Sequence, residues 1–244
     1  MSIIRSFSGH FRLKNWEKNK QDLLHLLFPS KCIVCSEEWP SNEPICSFCK
    51  SELHFTGFEK YSESTELDKL FWGRVTLEGT FALLYFYKNS STQKILHSLK
   101  YGNKPETGRI LGKEIGQRIK ELSFIKDADA LIPVPLHPKK QFVRGYNQSN
   151  QLAEGISEIT GLPVAQNFVA KLQHTSSQTK QGRFSRWENV TGNFRVKKIT
   201  PPFKHILIID DVVTTGATLE AMIRSIQTIY PDLRISIISL ALAK

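Results

Sequence analysis

The chain has 244 residues, with 33 Lys+Arg against 23 Asp+Glu for a formal net charge of +10, and 40% of its residues are hydrophobic. This composition excludes a disordered chain and a collagen-like repeat, and the length is enough to bury a sizeable core. The longest uncharged apolar-rich run, Ile235 to Ala243, is far short of the ~18 residues a membrane-spanning helix needs, and the excess of positive charge points to a polyanionic partner, either nucleic acid or a highly phosphorylated small molecule.

The basic N-terminus, with Arg5, Arg12, Lys14 and Lys18, has no apolar stretch behind it, so the expected location is the cytoplasm. Trp16, Lys20, Leu23, Leu24, Leu27 and Phe28 fit helical spacing, and Pro29 stops the pattern. All four cysteines follow in one window, as Cys32-x2-Cys35 and Cys46-x2-Cys49. Two such knuckles bring four thiolates within reach of one tetrahedral Zn²⁺, and four sulfur ligands leave no open position for catalysis, so the metal is expected to be structural. With the N-terminal helix, this forms a module over residues 1–60.

A body over residues 61–244 follows. From about residue 78, apolar strand candidates (80–87, 130–135, 205–210 and 234–241) alternate with helical stretches at about 91–101, 106–122, 147–160 and 217–229. That pattern predicts an α/β fold with a mostly parallel sheet flanked by helices. The loop after the second strand carries Lys139, Lys140 and Arg144, with His137 ahead of them; Asn147 or Gln148 equally suits the cap of the next helix. Residues 171–198 hold Lys171, Lys180, Arg183, Arg186, Arg195, Lys197 and Lys198 against Glu188, with Phe184, Trp187 and Phe194 interleaved. Such a segment fits a single-strand nucleic-acid path as well as it fits a surface connection whose aromatics pack inward.

The most informative stretch is Ile206-Leu207-Ile208-Ile209-Asp210-Asp211-Val212-Val213-Thr214-Thr215-Gly216-Ala217-Thr218. Four aliphatics make a buried strand and two carboxylates stand at its tip, where open α/β sheets bind ligands. The hydroxyl-rich loop opening the next helix would converge N–H and O–H groups on one anion. Acids that accept from vicinal hydroxyls, or hold Mg²⁺ through water, next to a phosphate cradle together match a 5-phosphoribose.

This stretch resembles the 5-phosphoribosyl 1-pyrophosphate (PRPP) motif of type I phosphoribosyltransferases. A narrower resemblance is carried by the four cysteines, Leu99-Lys100-Tyr101-Gly102, Val134-Pro135-Leu136-His137-Pro138, Arg144-Gly145-Tyr146-Asn147-Gln148, Thr175 to Gln178 and Arg183 to Asn189. Across residues 25–244 the chain is similar to the ComF family, whose members resemble amidophosphoribosyltransferases and include proteins that handle incoming single-stranded DNA in natural transformation. Gln173 departs from that pattern, where a second basic residue is common.

The resemblance implies PRPP with Mg²⁺ on Asp210, Asp211, Val213, Thr214, Thr215, Gly216, Ala217 and Thr218, with the pyrophosphate toward His137, Lys139, Lys140 and Arg144. Asp210, Asp211 and Arg144 would serve the chemistry, which is displacement of pyrophosphate from C1 of the ribose. Single-stranded DNA and the DNA-uptake machinery are the implied partners. Two other readings stay open: a metabolic phosphoribosyltransferase with a base or ammonia as acceptor, and a PRPP-sensing DNA-binding module without turnover.

Overall fold

The computed structural model describes residues 31–41, 43–172, 194–199 and 203–244. The N-terminal helix expected over 16–28 lies outside them. The chain divides after Glu52 into two compact units. In the first, a short helix α1 (Ser47–Ser51) is capped by Cys46 and carries Cys49, so it forms part of the second cysteine knuckle.

The second unit runs from Leu53. Helix α2 (Glu66–Phe71) starts at a capping box in which Thr65 Oγ1 accepts from the amide of Asp68 while the Asp68 carboxylate accepts from the amide of Thr65. Strand β1 (Gly79–Phe86), helices α3 (Ser91–Tyr101), α4 (Pro105–Ile119) and α5 (Ser123–Lys126), and strand β2 (Ala130–Pro133) come next. Helices α6 (Pro138–Arg144) and α7 (Gln148–Thr160) lead to a short hairpin, β3 (Val169–Lys171) paired antiparallel with β4 (Phe194–Val196). Strand β5 (His205–Val213), helix α8 (Ala217–Ile229) and strand β6 (Arg234–Ala243) complete the unit.

The main sheet has the order β1-β6-β5-β2, and its pairs are all parallel. Strands β5 and β6 are central, which is why Ile206–Ile209 and Ile235–Leu242 read as near-continuous apolar runs and are buried. From β2 the chain re-enters the sheet at β5, then steps to β6 on the far side. The segments at the carboxyl ends of β2 and β5 line one cleft, at the end of the sheet where ligands of such folds bind.

The four strands and the helices over 91–101, 147–160 and 217–229 stand where the sequence places them, and the 106–122 stretch forms α4, which ends at Ile119, with the short α5 beyond it. Among the described residues no helix is long and apolar enough to cross a membrane.

Helices α4 and α7 touch backbone to backbone. A Cβ on Gly155 would lie 2.0 Å from the Arg109 carbonyl, and one on Gly112 would lie 2.2 Å from that of Leu152. Gly155→Ala therefore forces the helices apart. Overpacking of this kind costs about 1–3 kcal/mol, while the better helix propensity of alanine returns at most about 1 kcal/mol. Because the clash is with a carbonyl rather than a flexible side chain, a net loss and a melting temperature lower by about 2–6 °C are expected in calorimetry.

Candidate functional site

Strand β5 carries its register past the aliphatic run, pairing Asp210 with Ser239 of β6, so the acids are held on regular strand backbone. Asp210 Oδ1 accepts from the amide of Asp211 at 2.9 Å and from Ser149 Oγ at 3.3 Å, and Asp211 Oδ2 lies 3.0 Å from the Lys100 ammonium. Burial and the charge of Asp211 push the Asp210 carboxyl up to about 7, against the pull of the Asp211 amide, the Ser149 hydroxyl and Lys100. Near neutrality the protonated and ionised forms of Asp210 thus lie close in free energy.

Beyond Asp211 the chain turns at Gly216, whose φ of 72° is left-handed and which begins α8 without a side-chain cap. Thr214 and Thr215 are exposed, whereas Val213 is buried and offers only its backbone to a ligand. Arg74 pins this turn from behind. Its Nη1 donates to the Thr215 carbonyl at 2.8 Å, while Nε and Nη2 reach Glu220 Oε2 of α8 at 2.9 and 2.6 Å. Phe71 closes the back, so near that a Cβ on Gly216 would stand 2.8 Å from its ring. The hydroxyl loop is thereby braced without use of its own hydroxyls, except for a 3.4 Å contact from the Ala217 amide to Thr215 Oγ1.

The opposite wall departs from expectation. Residues 138–144 form helix α6 rather than a loop, with Pro138 in its first turn and His137 Nδ1 accepting from the Lys139 amide at 3.2 Å. His137 is therefore the cap of that helix. Asn147 caps α7 through the Ser149 amide at 3.0 Å and donates to the Val134 carbonyl at 3.0 Å, so the cap is Asn147 and Gln148 is the first helical residue. Arg144 lies 5.4 Å from the centre of the Tyr101 ring and donates to Gln148 Oε1 at 3.2 Å.

Between these walls lies a cleft of about 450 Å³. Of the sequence candidates, Asp210, Asp211, Thr218, His137, Lys140 and Arg144 line it together; Lys139 and residues 213–217 do not. Lys100, Gln148, Ser149 and Lys171 also line it; of these the sequence marks only Lys171 for binding, and then as part of the nucleic-acid segment. Lys100 and Gln148 each sit inside a short string that the sequence singles out, which is the signal that could have found them.

Of the nucleic-acid candidates of segment 171–198, Lys180, Arg183, Phe184, Arg186 and Trp187 lie outside the described residues. Phe194 is described and is buried, 3% exposed, with the Lys171 ammonium 5.6 Å from its ring centre. It packs inward and offers no face to a base.

In the first unit, all four cysteines are free thiols and their Sγ atoms lie within 4.8 Å of one another. Cys35 and Cys46 stand 3.9 Å apart, close to the roughly 3.8 Å edge of a tetrahedron with Zn–S bonds of about 2.3 Å. The first knuckle folds on its own amides: Ser36 N donates to the Cys32 carbonyl and Cys32 N to that of Glu37, while Cys46 N points at Cys32 Sγ at 3.4 Å. Burial opposes ionisation of Cys32, yet amides at Cys46, Cys35 and Val34 bring it down to about 6, and burial with the surrounding thiols pushes Cys49 up to about 12. A cluster so divided suits a dication that ionises all four sulfurs.

Residues 23–60 match the double zinc ribbon domain and residues 149–244 the phosphoribosyl transferase domain. The chain is 26% identical to competence protein F of Haemophilus influenzae, over 80% of this chain and 83% of that protein. The chain is thus similar to competence protein F over most of both lengths. It is also 26% identical to the DNA utilization protein YhgH of Salmonella typhimurium and to that of Escherichia coli K12, in each case over 51% of this chain and 56% of that protein.

The four-cysteine cluster thus lies in the part that matches a double zinc ribbon, ahead of the part that matches a phosphoribosyl transferase domain. The matched domain segment begins at Ser149 and contains the acid pair and the threonine loop. His137, Lys140 and Arg144 precede that segment, yet the fold returns them to the same cleft.

Proposed function

We propose that the cleft binds PRPP together with Mg²⁺ and that the domain transfers its phosphoribosyl group to an acceptor nucleophile during the handling of incoming single-stranded DNA in the cytoplasm. The observation that carries this reading is the acid pair, standing between a braced hydroxyl-rich helix start on one side and Arg144 and Lys140 on the other. A 5-phosphate would rest on Thr214 to Thr218, at the positive end of α8. Asp210 and Asp211 would accept from the ribose hydroxyls and fix the ring, and their negative charge opposes the positive charge that grows at C1 in the transition state.

The bond from C1 to the pyrophosphate oxygen breaks with its electron pair leaving on pyrophosphate, while the acceptor's lone pair forms the new bond to C1. Arg144 and Lys140 would stabilise the departing charge. Asp210 and Asp211 are oxygen donors of the kind Mg²⁺ takes, and a bound ion would add positive charge against the phosphates. Lys100 would have to yield its place on Asp211 to such an ion.

The role in DNA handling is supported by the names of the relatives and by one surface. From Glu78 to Glu106 the sequence carries no acid between those two, only Lys88, Lys94, Lys100 and Lys104; between Asp129 and Glu154 it carries Lys139, Lys140 and Arg144 alone. The Arg144–Tyr101 contact joins the two stretches, and Tyr101 and Phe142 are exposed beside them, at 61% and 90%. Cations that track phosphates and rings that stack bases are what single strands require.

The test is calorimetric titration with PRPP and Mg²⁺, with and without a single-stranded oligonucleotide. Binding of PRPP whose affinity shifts when DNA is present is the expected result. Pyrophosphate release with a base or ammonia, indifferent to DNA, would replace the DNA role by metabolic transfer. Absence of PRPP binding would overturn the site.

A further inference from the structure

The string Arg144-Gly145-Tyr146-Asn147-Gln148 becomes intelligible residue by residue, with one remainder. Gly145, at φ 76°, ends α6, and its amide donates to the Gln141 carbonyl. The Tyr146 hydroxyl donates to the Leu99 carbonyl at 2.8 Å and so ties the end of α3 to this wall. Asn147 caps α7, and Arg144 stacks on Tyr101. Each has structural employment.

Gln148 has half. Its side-chain Oε1 accepts from Arg144, which fixes the orientation of the amide, and the remaining donor, Nε2, has no hydrogen-bond partner among the described residues. The residue is 2% exposed and lines the cleft beside Arg144 and Ser149, at the start of a 13-residue helix. A buried amide donor left unpaired is costly, and native chains reserve such groups for a ligand or an ordered water. A neutral donor at the positive end of a helix, with Arg144 and Lys140 on the same wall, selects an anionic oxygen.

We infer that Gln148 is the specificity residue for the pyrophosphate end of the ligand, donating from Nε2 to a phosphate oxygen while its Oε1 holds Arg144 toward the same group. This rests on the PRPP reading, and it separates the two ends of that ligand. The 5-phosphate end lies at the start of α8, away from the α6–α7 wall, and does not use Gln148.

The experiment compares the full-length zinc-loaded protein with Gln148→Met, which removes both amide functions at similar volume, and Gln148→Glu, which keeps an acceptor for Arg144 but turns the donor into a charge. Each is titrated with inorganic pyrophosphate, PRPP and ribose 5-phosphate in the presence of Mg²⁺. Pyrophosphate and PRPP are expected to bind roughly tenfold more weakly to Gln148→Met and roughly a hundredfold more weakly to Gln148→Glu, the range for hydrogen bonds to charged groups. Ribose 5-phosphate should bind all three proteins within about twofold, since its phosphate lies at the other end.

Wild-type pyrophosphate affinity in Gln148→Glu would overturn the inference while leaving the PRPP reading in place. So would an equal loss for ribose 5-phosphate, which is what a merely structural role produces. If the unsubstituted protein binds none of the three ligands, the PRPP reading falls first and the inference with it.

Discussion

Asp210→Asn combined with Asp211→Asn is expected to abolish PRPP binding while leaving the fold intact. Each carboxylate that accepts from a ribose hydroxyl contributes a charged hydrogen bond of about 1.5–3 kcal/mol, and losing two lowers affinity by on the order of a thousandfold. The fold survives for reasons visible at each position. The surroundings of Asp210 disfavour its charge and hold its carboxyl up to about 7; asparagine never carries that charge and keeps an oxygen for Ser149 Oγ and the Asp211 amide. Asp211 loses its pair with Lys100, whose side chain is 24% exposed, and such partly solvated pairs contribute about 0–1 kcal/mol.

The sign of the pH dependence follows from the direction of the shift. A carboxyl raised on folding favours the folded state while protonated. That contribution is present below its ordinary pKa of about 3.9 and fades as pH rises toward about 7. The melting temperature of wild type relative to Asp210→Asn should therefore fall across this window. Affinity for PRPP should rise across the upper part of it, because the ionised form is the one that accepts from the sugar. Calorimetry of binding and of unfolding at several pH values checks both, and unchanged PRPP affinity in the double variant would remove the acid pair from the site.

What the sequence made legible, and what it hid, separates by the kind of signal each element carries. Strand β5 was readable because a buried central strand is aliphatic on both faces, and the two carboxylates that follow Ile206–Ile209 stand out against it. Helix α8 was readable because Leu219, Met222, Ile223 and Ile226 are all buried at helical spacing. Helix α6 was not, since it buries none of its seven residues and so carries no apolar stripe; only Pro138 at its start and Gly145 at its end marked it. Strands β3 and β4 span three residues each, too short for alternation to register, and they pair across a long separation in sequence.

The cleft hid more than the fold did. Lys100 sits on α3 and reaches Asp211 across 111 positions of sequence, and a lysine on a helix reads as solvated until the tertiary structure supplies its partner. Arg74 is similar: its worth lies in pinning the Thr215 carbonyl and Glu220 from a connection ahead of β1. Charge patterns along the chain identify polyanion binding, but they cannot tell which cations converge.

Removal of zinc is expected to unfold the first unit and spare the second. The described part of that first unit buries Cys32, Val34, Ile45 and Cys49, so half of its buried apolar residues are themselves metal ligands. Two aliphatic side chains, at about 1.5–3 kcal/mol each when fully buried, cannot hold some twenty residues against a chain entropy of about 1–2 kcal/mol per residue. Domains in this position fold on their metal. The second unit has its own parallel sheet and a core that runs through β5 and β6, neither of which contains a cysteine. Metal analysis should return one zinc per chain, and Cys49→Ser should lose it, because serine cannot replace a buried thiolate ligand. Hydrogen exchange then separates the outcomes: in the chelated protein and in Cys49→Ser, amides of residues 31–52 should exchange rapidly while those of β5 and β6 stay protected. Persistent protection of Ile33 and Cys46 without metal would mean that the knuckles are held by the chain rather than by zinc. Collapse of protection in β5 would instead make the metal a support for the cleft itself.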